Sequence, residues 1–189
     1  MAASVNQNFL QSIIKLFGYY KSLGDKTFDQ LTNEELQWRP NEASNSIALI
    51  VHHLSGNMLS RWTDFLTSDG EKPWRDREAE FEMGYNDKQS MVDAWNKGWS
   101  CLFATLEGLK EEDLEKIIYI RNEGQTVVEA IHRQLEHYSS HVGQIMFIGK
   151  QIKGDDWKSL SISKGGTKEF NADKFNKPQE RKHFTEGLK

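Results

Sequence analysis

Cysteine is almost absent from this chain. Cys101 stands alone among 189 residues, so no internal disulfide can form and no thiolate cluster is available to a metal. Positive charge is not in excess: 24 Lys and Arg face 28 Asp and Glu, a net charge of −4. Without a basic stripe interleaved with aromatics, an electrostatic grip on DNA or RNA is not expected. No apolar run approaches the roughly 20 residues that cross a bilayer, and no membrane association is expected. The first residues lack a charged start and an apolar stretch, so no signal peptide is evident. A soluble, reducing, cytoplasmic setting is the expectation. The charged share of 28%, beside 37% apolar residues and 14 glycines, belongs to an ordinary folded domain rather than a disordered chain.

Helical periodicity is what the sequence has in quantity. Val5, Phe9, Leu10, Ile13, Ile14, Phe17 and Tyr20 fall at i, i+3, i+4 spacing, which predicts a helix over 5–23 with Gly24 ending it. A short helical turn follows Thr32 and stops before Trp38-Arg-Pro40. A second long helix starts after Asn45 or Ser46, both good N-caps, and runs to about residue 65. Residues 67–86 form a charged connection too long for a tight hairpin, so it crosses over. The third helix covers about 87–109. The β-prone Ile117-Ile-Tyr-Ile120 suggests a small strand or hairpin arm closed near Asn122-Glu-Gly124. Thr126-Val-Val-Glu129 matches the capping box that opens a helix, and the fourth helix continues to about residue 152, with Gly154 ending it. The predicted fold is therefore all-α: a four-helix bundle over 1–155 with a long crossover between helices 2 and 3. Residues 156–189 read as an extended arm, anchored through Trp157, Leu160 and Phe170, with a flexible end.

Five of the six histidines lie on two predicted helices: His52 and His53 on the second, His132, His137 and His141 on the fourth. Residues four apart on a helix project from one face, so His137 and His141 can reach one metal ion. Gln134 and His141 fall inside the apolar arc of that helix and His137 at its edge. Buried polar groups without partners cost about 1–3 kcal/mol each, and a metal site in the core gives all three one explanation. A third histidine from the second helix would complete a three-histidine set with an open position, the arrangement of catalytic zinc. Periodicity alone leaves His52 and His53 both open, because they flank the apolar stripe on opposite sides. The bland alternative is a set of hydrogen-bonded core histidines. His132 points away from His137 and reads as surface, and His183 as solvated.

Other features favour structural roles. His137 is followed by Tyr138 rather than the glutamate of the metalloprotease HExxH signature. The six tryptophans read as core or groove wall, and Cys101 as a small apolar residue. Ser163-Lys-Gly-Gly166 reverses the order of a phosphate loop. The carboxylates over 78–82 read as a solvated loop.

Leu36-Gln-Trp-Arg-Pro40, then Asn45-Ser-Ile-Ala-Leu-Ile-Val-His-His-Leu54, then His137-xxx-His141 resembles the DinB-like (YfiT-like) superfamily of four-helix-bundle metalloenzymes. The ending Asp156-Trp-Lys-Ser-Leu-Ser-Ile162, followed by Glu169-Phe-Asn171, looks like a small uncharacterised bacterial branch. The resemblance implies a divalent metal held by one histidine of the second helix and two of the last. In that pattern the second-helix histidine precedes Leu or Ile, as His53 precedes Leu54. The implied ligands are His53, His137 and His141, with His52 the fallback. It also implies an up-down-down-up bundle, frequent homodimers, and activities that include S-transfer with low-molecular-weight thiols.

Three neutral imidazoles leave the charge of an ion uncompensated, which can lower the pKa of bound water to about 7 or stabilise a thiolate. Zinc or nickel suits such ligands, and the set is not the two-histidine, one-carboxylate group of oxygen-activating iron. Asn57, Gln134 and Tyr138 are candidates to line the pocket or brace the ligands. No general base can be named, since Glu136 adjoins His137 but leads away, and the catalytic residues stay unassigned. The expected function is a metal-dependent thiol S-transferase or hydrolase acting on a small molecule; the alternative is a non-catalytic metal- or ligand-binding bundle.

Overall fold

The computed structural model describes residues 3–82 and 84–187. It is mostly helical, with one small hairpin as the exception to an all-α chain. Helix α1 (Val5–Phe28) starts where Ser4 Oγ accepts the Gln7 N–H at 3.0 Å, relieving one free backbone donor. It runs past the predicted end. Gly24 is buried under Trp95, and a Cβ there would lie 2.5 Å from the indole ring. The glycine serves close approach rather than termination, and Trp95 Nε1 donates to Asp25 Oδ1 one residue on, at 2.8 Å.

Helix α2 (Asn33–Gln37) opens on the Thr32–Glu35 capping box. Helix α3 (Ile47–Trp62), capped by Ser46, is buried on almost every side. The one-turn α4 (Ala79–Glu82) lies in the crossover, and α5 (Lys88–Gly108) is capped by Asp87. After a 3-10 turn at Glu111–Asp113 come the antiparallel strands β1 (Ile117–Ile120) and β2 (Glu123–Thr126), registered Ile117 to Thr126 and Ile120 to Glu123. The two residues between them, Arg121 and Asn122, have φ of 55° and 63°, the positive pair that a two-residue hairpin turn requires. Helix α6 (Val127–Lys153) begins at once, with Thr126 and Glu129 forming the predicted capping box, and ends at Gly154. A last helix, α7 (Thr167–Phe175), has no buried residue.

The four long helices α1, α3, α5 and α6 share one apolar core; α3 packs on α5 and α6, and α1 on α6 and α5. Its centre is aromatic: Phe17 makes edge contacts with Trp62 and Trp99, and Trp99 meets both Trp95 and Tyr138 at such angles. Truncating a ring of this kind costs about 3–5 kcal/mol. The crossover between α3 and α5 is stitched to the hairpin. Gly70 N–H donates to Tyr119 O at 2.8 Å, and the Asp69 carboxylate accepts the N–H groups of Arg121 and Asn122 at 2.9 Å each. Among the described residues no helix is long and apolar enough to cross a membrane.

Candidate metal centre

Helices α3 and α6 meet where each carries histidine. His53 is buried, and His137 and His141, one turn apart, are half-buried; one ring nitrogen from each lies within 4.8 Å of the others. His53 Nε2 and His137 Nε2 are 3.2 Å apart, and the three ring centroids are separated by 4.8 to 5.2 Å. Donors at 2.0–2.1 Å from one tetrahedral ion stand about 3.3 Å from each other. The closest pair already matches that spacing, and a pair at the 4.8 Å limit needs to close by about 1.5 Å. The group could hold a metal ion. His52 is not in it; its ring meets Tyr85 edge-on at 5.2 Å. His132 is exposed, as expected, with its ring against Phe9. His183, expected to be solvated, is partly buried, with Ser12 Oγ of α1 3.1 Å from its Nε2.

Acceptors behind two of the rings orient them. Glu80 Oε2 lies 2.9 Å from His53 Nδ1. Burial raises the Glu80 pKa, but the bonds from His53 and Arg75 outweigh it and hold the carboxyl below its usual range. An ionised carboxylate only accepts, so Nδ1 carries a proton and donates, and the ring presents Nε2 toward His137. Gln144 Oε1, 2.8 Å from His141 Nδ1, orients that ring in the same way. Burial, joined by His141, His53 and the Arg61 and Arg75 guanidiniums, pushes His137 down to about 3. Burial also lowers His141, against the bond to Gln144. His137 and His141 are thus neutral and ligand-competent at neutral pH.

Glu80 is the residue that sequence reasoning missed. The carboxylates of 78–82 read as solvated, yet Glu80 is 3% exposed. Arg75 Nε and Nη2 grip its two oxygens at 2.8 and 2.9 Å, with the Arg75 side chain itself only 2% exposed. A carboxylate behind a ligand histidine orients the ring and raises its basicity. A signal was present in Gly56, one turn after His53. Glycine inside a helix costs roughly 0.5–1 kcal/mol relative to alanine, which calls for a neighbour at close range. That neighbour is Glu80, whose Oε1 would lie 2.2 Å from a Cβ on residue 56. Phe81, beside it, stacks on His53 at 4.8 Å.

A cavity of about 420 Å³ opens beside the cluster, bordered by His53, His137, Asn57 and Gln134. Asn57 and Gln134 therefore border the cavity. Tyr138 does not: it is wholly buried behind Asn57, donating to Asn57 Oδ1 at 2.9 Å and accepting from Trp62 Nε1 at 3.1 Å. Burial pushes its phenol pKa up, so it stays protonated. Glu136 also borders the cavity, contrary to its expected direction. The cavity is wide enough to take in the residue next to His137 as well.

Residues 4–166 match the family described as "Protein of unknown function (DUF1572)", and the chain belongs to that family. A solved structure described as "Crystal structure of the conserved protein of locus from Enterococcus faecalis" is similar at 17% identity and a TM-score of 0.57, over 81% of this chain and 99% of that one. At that identity the likeness speaks for the fold alone. No curated protein matches.

Proposed function

We propose that this chain is a metal-dependent enzyme of the DinB-like superfamily, a thiol S-transferase or hydrolase acting on a small molecule. In this reading residues 1–155 are an up-down-down-up four-helix bundle and 156–189 an arm. His53, His137 and His141 would hold one divalent ion, zinc or nickel. The observation that supports it most is the brace on His53, a buried Arg75–Glu80 pair that presents Nε2 toward His137. Such an investment of buried charge is costly unless it positions something.

A divalent ion on three imidazoles polarises a bound oxygen or sulfur and lowers its pKa. Glu80 keeps the proton on His53 Nδ1, and Asn57 and Gln134 offer polar atoms at the cavity wall. Glu136, which borders the cavity, would accept the proton of an incoming thiol or water.

Metal content of the untagged protein tests the first half. About one ion per chain is expected, lost in His53→Ala; a content far below that and unchanged by the substitution would reject the reading. Consumption of monobromobimane with a low-molecular-weight thiol, beside an ester panel, tests the second half. Glu136→Gln should keep the metal and lower turnover by about 10²-fold or more, the usual worth of a positioned base. A chelator that lowers the melting temperature, with no turnover on any substrate, would favour a non-catalytic metal-binding protein instead.

A further inference from the structure

The arginines of this chain are not spread over its surface. Five of the seven, Arg61, Arg75, Arg77, Arg121 and Arg133, line the cavity beside the histidines, and no lysine among the described residues does. The chain as a whole is acidic, at −4, so this concentration runs against the overall balance.

Three of the five are tied to carboxylates. Arg75 grips Glu80, while Glu71 Oε2 accepts from Arg61 at 3.3 Å and from Arg121 Nε at 3.1 Å. Those bonds hold the Arg61 and Arg75 side chains, 8% and 2% exposed, as a fixed floor. Arg77 and Arg133 are exposed and make no ion pair among the described residues. Against five guanidiniums stand Glu71, Glu80, the lining Glu136 and Asp69, whose carboxylate accepts the Arg121 N–H, which leaves an excess of one positive charge.

Arginine in place of lysine indicates what the cavity reads. A guanidinium offers a planar fork that takes two oxygens of a carboxylate or phosphate at once, whereas an ammonium acts as a point charge. A cavity of about 420 Å³ lies in the size range of small-molecule sites.

We propose that the cavity is an oxyanion subsite: Arg77 and Arg133 take the carboxylate or phosphate group of a small anionic substrate, above the floor set by Arg61, Arg75 and Arg121. The assignment of that anion as substrate rests on the enzymatic reading above; the binding itself does not. The rest of such a molecule is then directed at His53 and His137, which border the same space.

Calorimetry on the full chain, stripped of metal by chelator and kept at low salt, tests this with inorganic phosphate and with succinate as probes. Binding of either is expected, about tenfold weaker in Arg133→Ala and weaker again with Arg77→Ala added, since each removes charge-assisted bonds. Arg133→Lys should recover only part of the loss, and Arg39→Ala, away from the cavity, should change nothing. Both substituted side chains are exposed, and circular dichroism checks that the fold is kept. Phosphate binding alone marks a phosphoryl group and succinate alone a carboxylate; either supports the subsite. No binding of either probe, or equal binding in the double variant, overturns it. Binding that needs added zinc and disappears in His137→Ala, whatever the arginines, would also overturn the subsite while leaving the metal reading intact. Arginine-dependent binding in a protein that takes up no metal would do the reverse.

Discussion

The crossover over residues 63–87 and the C-terminal segment over 154–187 have the same look in sequence, charged and punctuated by glycine. They meet opposite fates. In the crossover Phe65, Lys72 and Glu80 are buried, and the Arg75 side chain is nearly so. In the C-terminal segment no described residue is buried. Its ion pairs, Lys15–Glu186, Asp173–Lys177 and Glu180–Lys182, have both partners more than 40% exposed, where such pairs contribute little. What separates the two is the surface each faces. Helix α3 offers the crossover a notch at Gly56, a ring nitrogen at His53, the Ser60 hydroxyl, which donates to Gly70 O at 2.6 Å, and the Arg61 guanidinium. Charge composition did not decide burial; reciprocal polar partners did.

Removing Glu80 should break the contrast most severely. Glu80→Ala strands a buried guanidinium, a loss of about 3–5 kcal/mol and on the order of 10 °C in melting temperature for a chain of this size. Metal affinity should fall about 10–100-fold with it. Calorimetric melting and metal titration check both, and a change no larger than that of an exposed pair would dissolve the distinction between the two segments.

Gly56→Ala comes next. The methyl group collides with Glu80, and overpacking of that kind costs about 1–3 kcal/mol in spite of better helix propensity. Gly18→Ala is the matched control, since nothing lies within 4 Å of a Cβ there; it should gain up to about 1 kcal/mol. Denaturant melts giving both substitutions the same sign would contradict the notch.

A smaller, pH-dependent effect is expected from Glu35, which joins α2 to Lys153 of α6 at 2.9 Å. The Thr32 N–H and then Lys153 hold its carboxyl below the usual range. A depressed carboxyl contributes stability that is present above its unfolded pKa, about 4.3, and is lost as pH falls through the folded value. Wild type should exceed Glu35→Gln by under about 1 kcal/mol at neutral pH, with the gap closing below about pH 4. A gap that widened in acid would reverse the assignment. Least of all, Lys177→Ala in the exposed segment should stay within about 0.5 kcal/mol of wild type.

The helices were legible because their signals are local. Ser46, Asp87 and the Thr126–Glu129 box sit at the observed starts of α3, α5 and α6, and a capping bond involves residues three apart. The end of α1 was misread because Gly24 answers to Trp95, 71 residues away in the sequence. The candidate site divides along the same line. The pairing of His137 with His141 is a property of one helix and could be read directly. Whether His52 or His53 joined them depended on how α3 is turned toward α6, which a stripe flanked on both sides by histidine does not say. Glu80 and the arginines of the cavity come from four separate stretches of chain, and no periodicity connects them.

Thr126 is both the last residue of β2 and the cap of α6, with nothing in between to bend. A substitution at residue 126 would therefore disturb two things at once, the pairing of the hairpin that carries Arg121 and the start of the helix that carries His137.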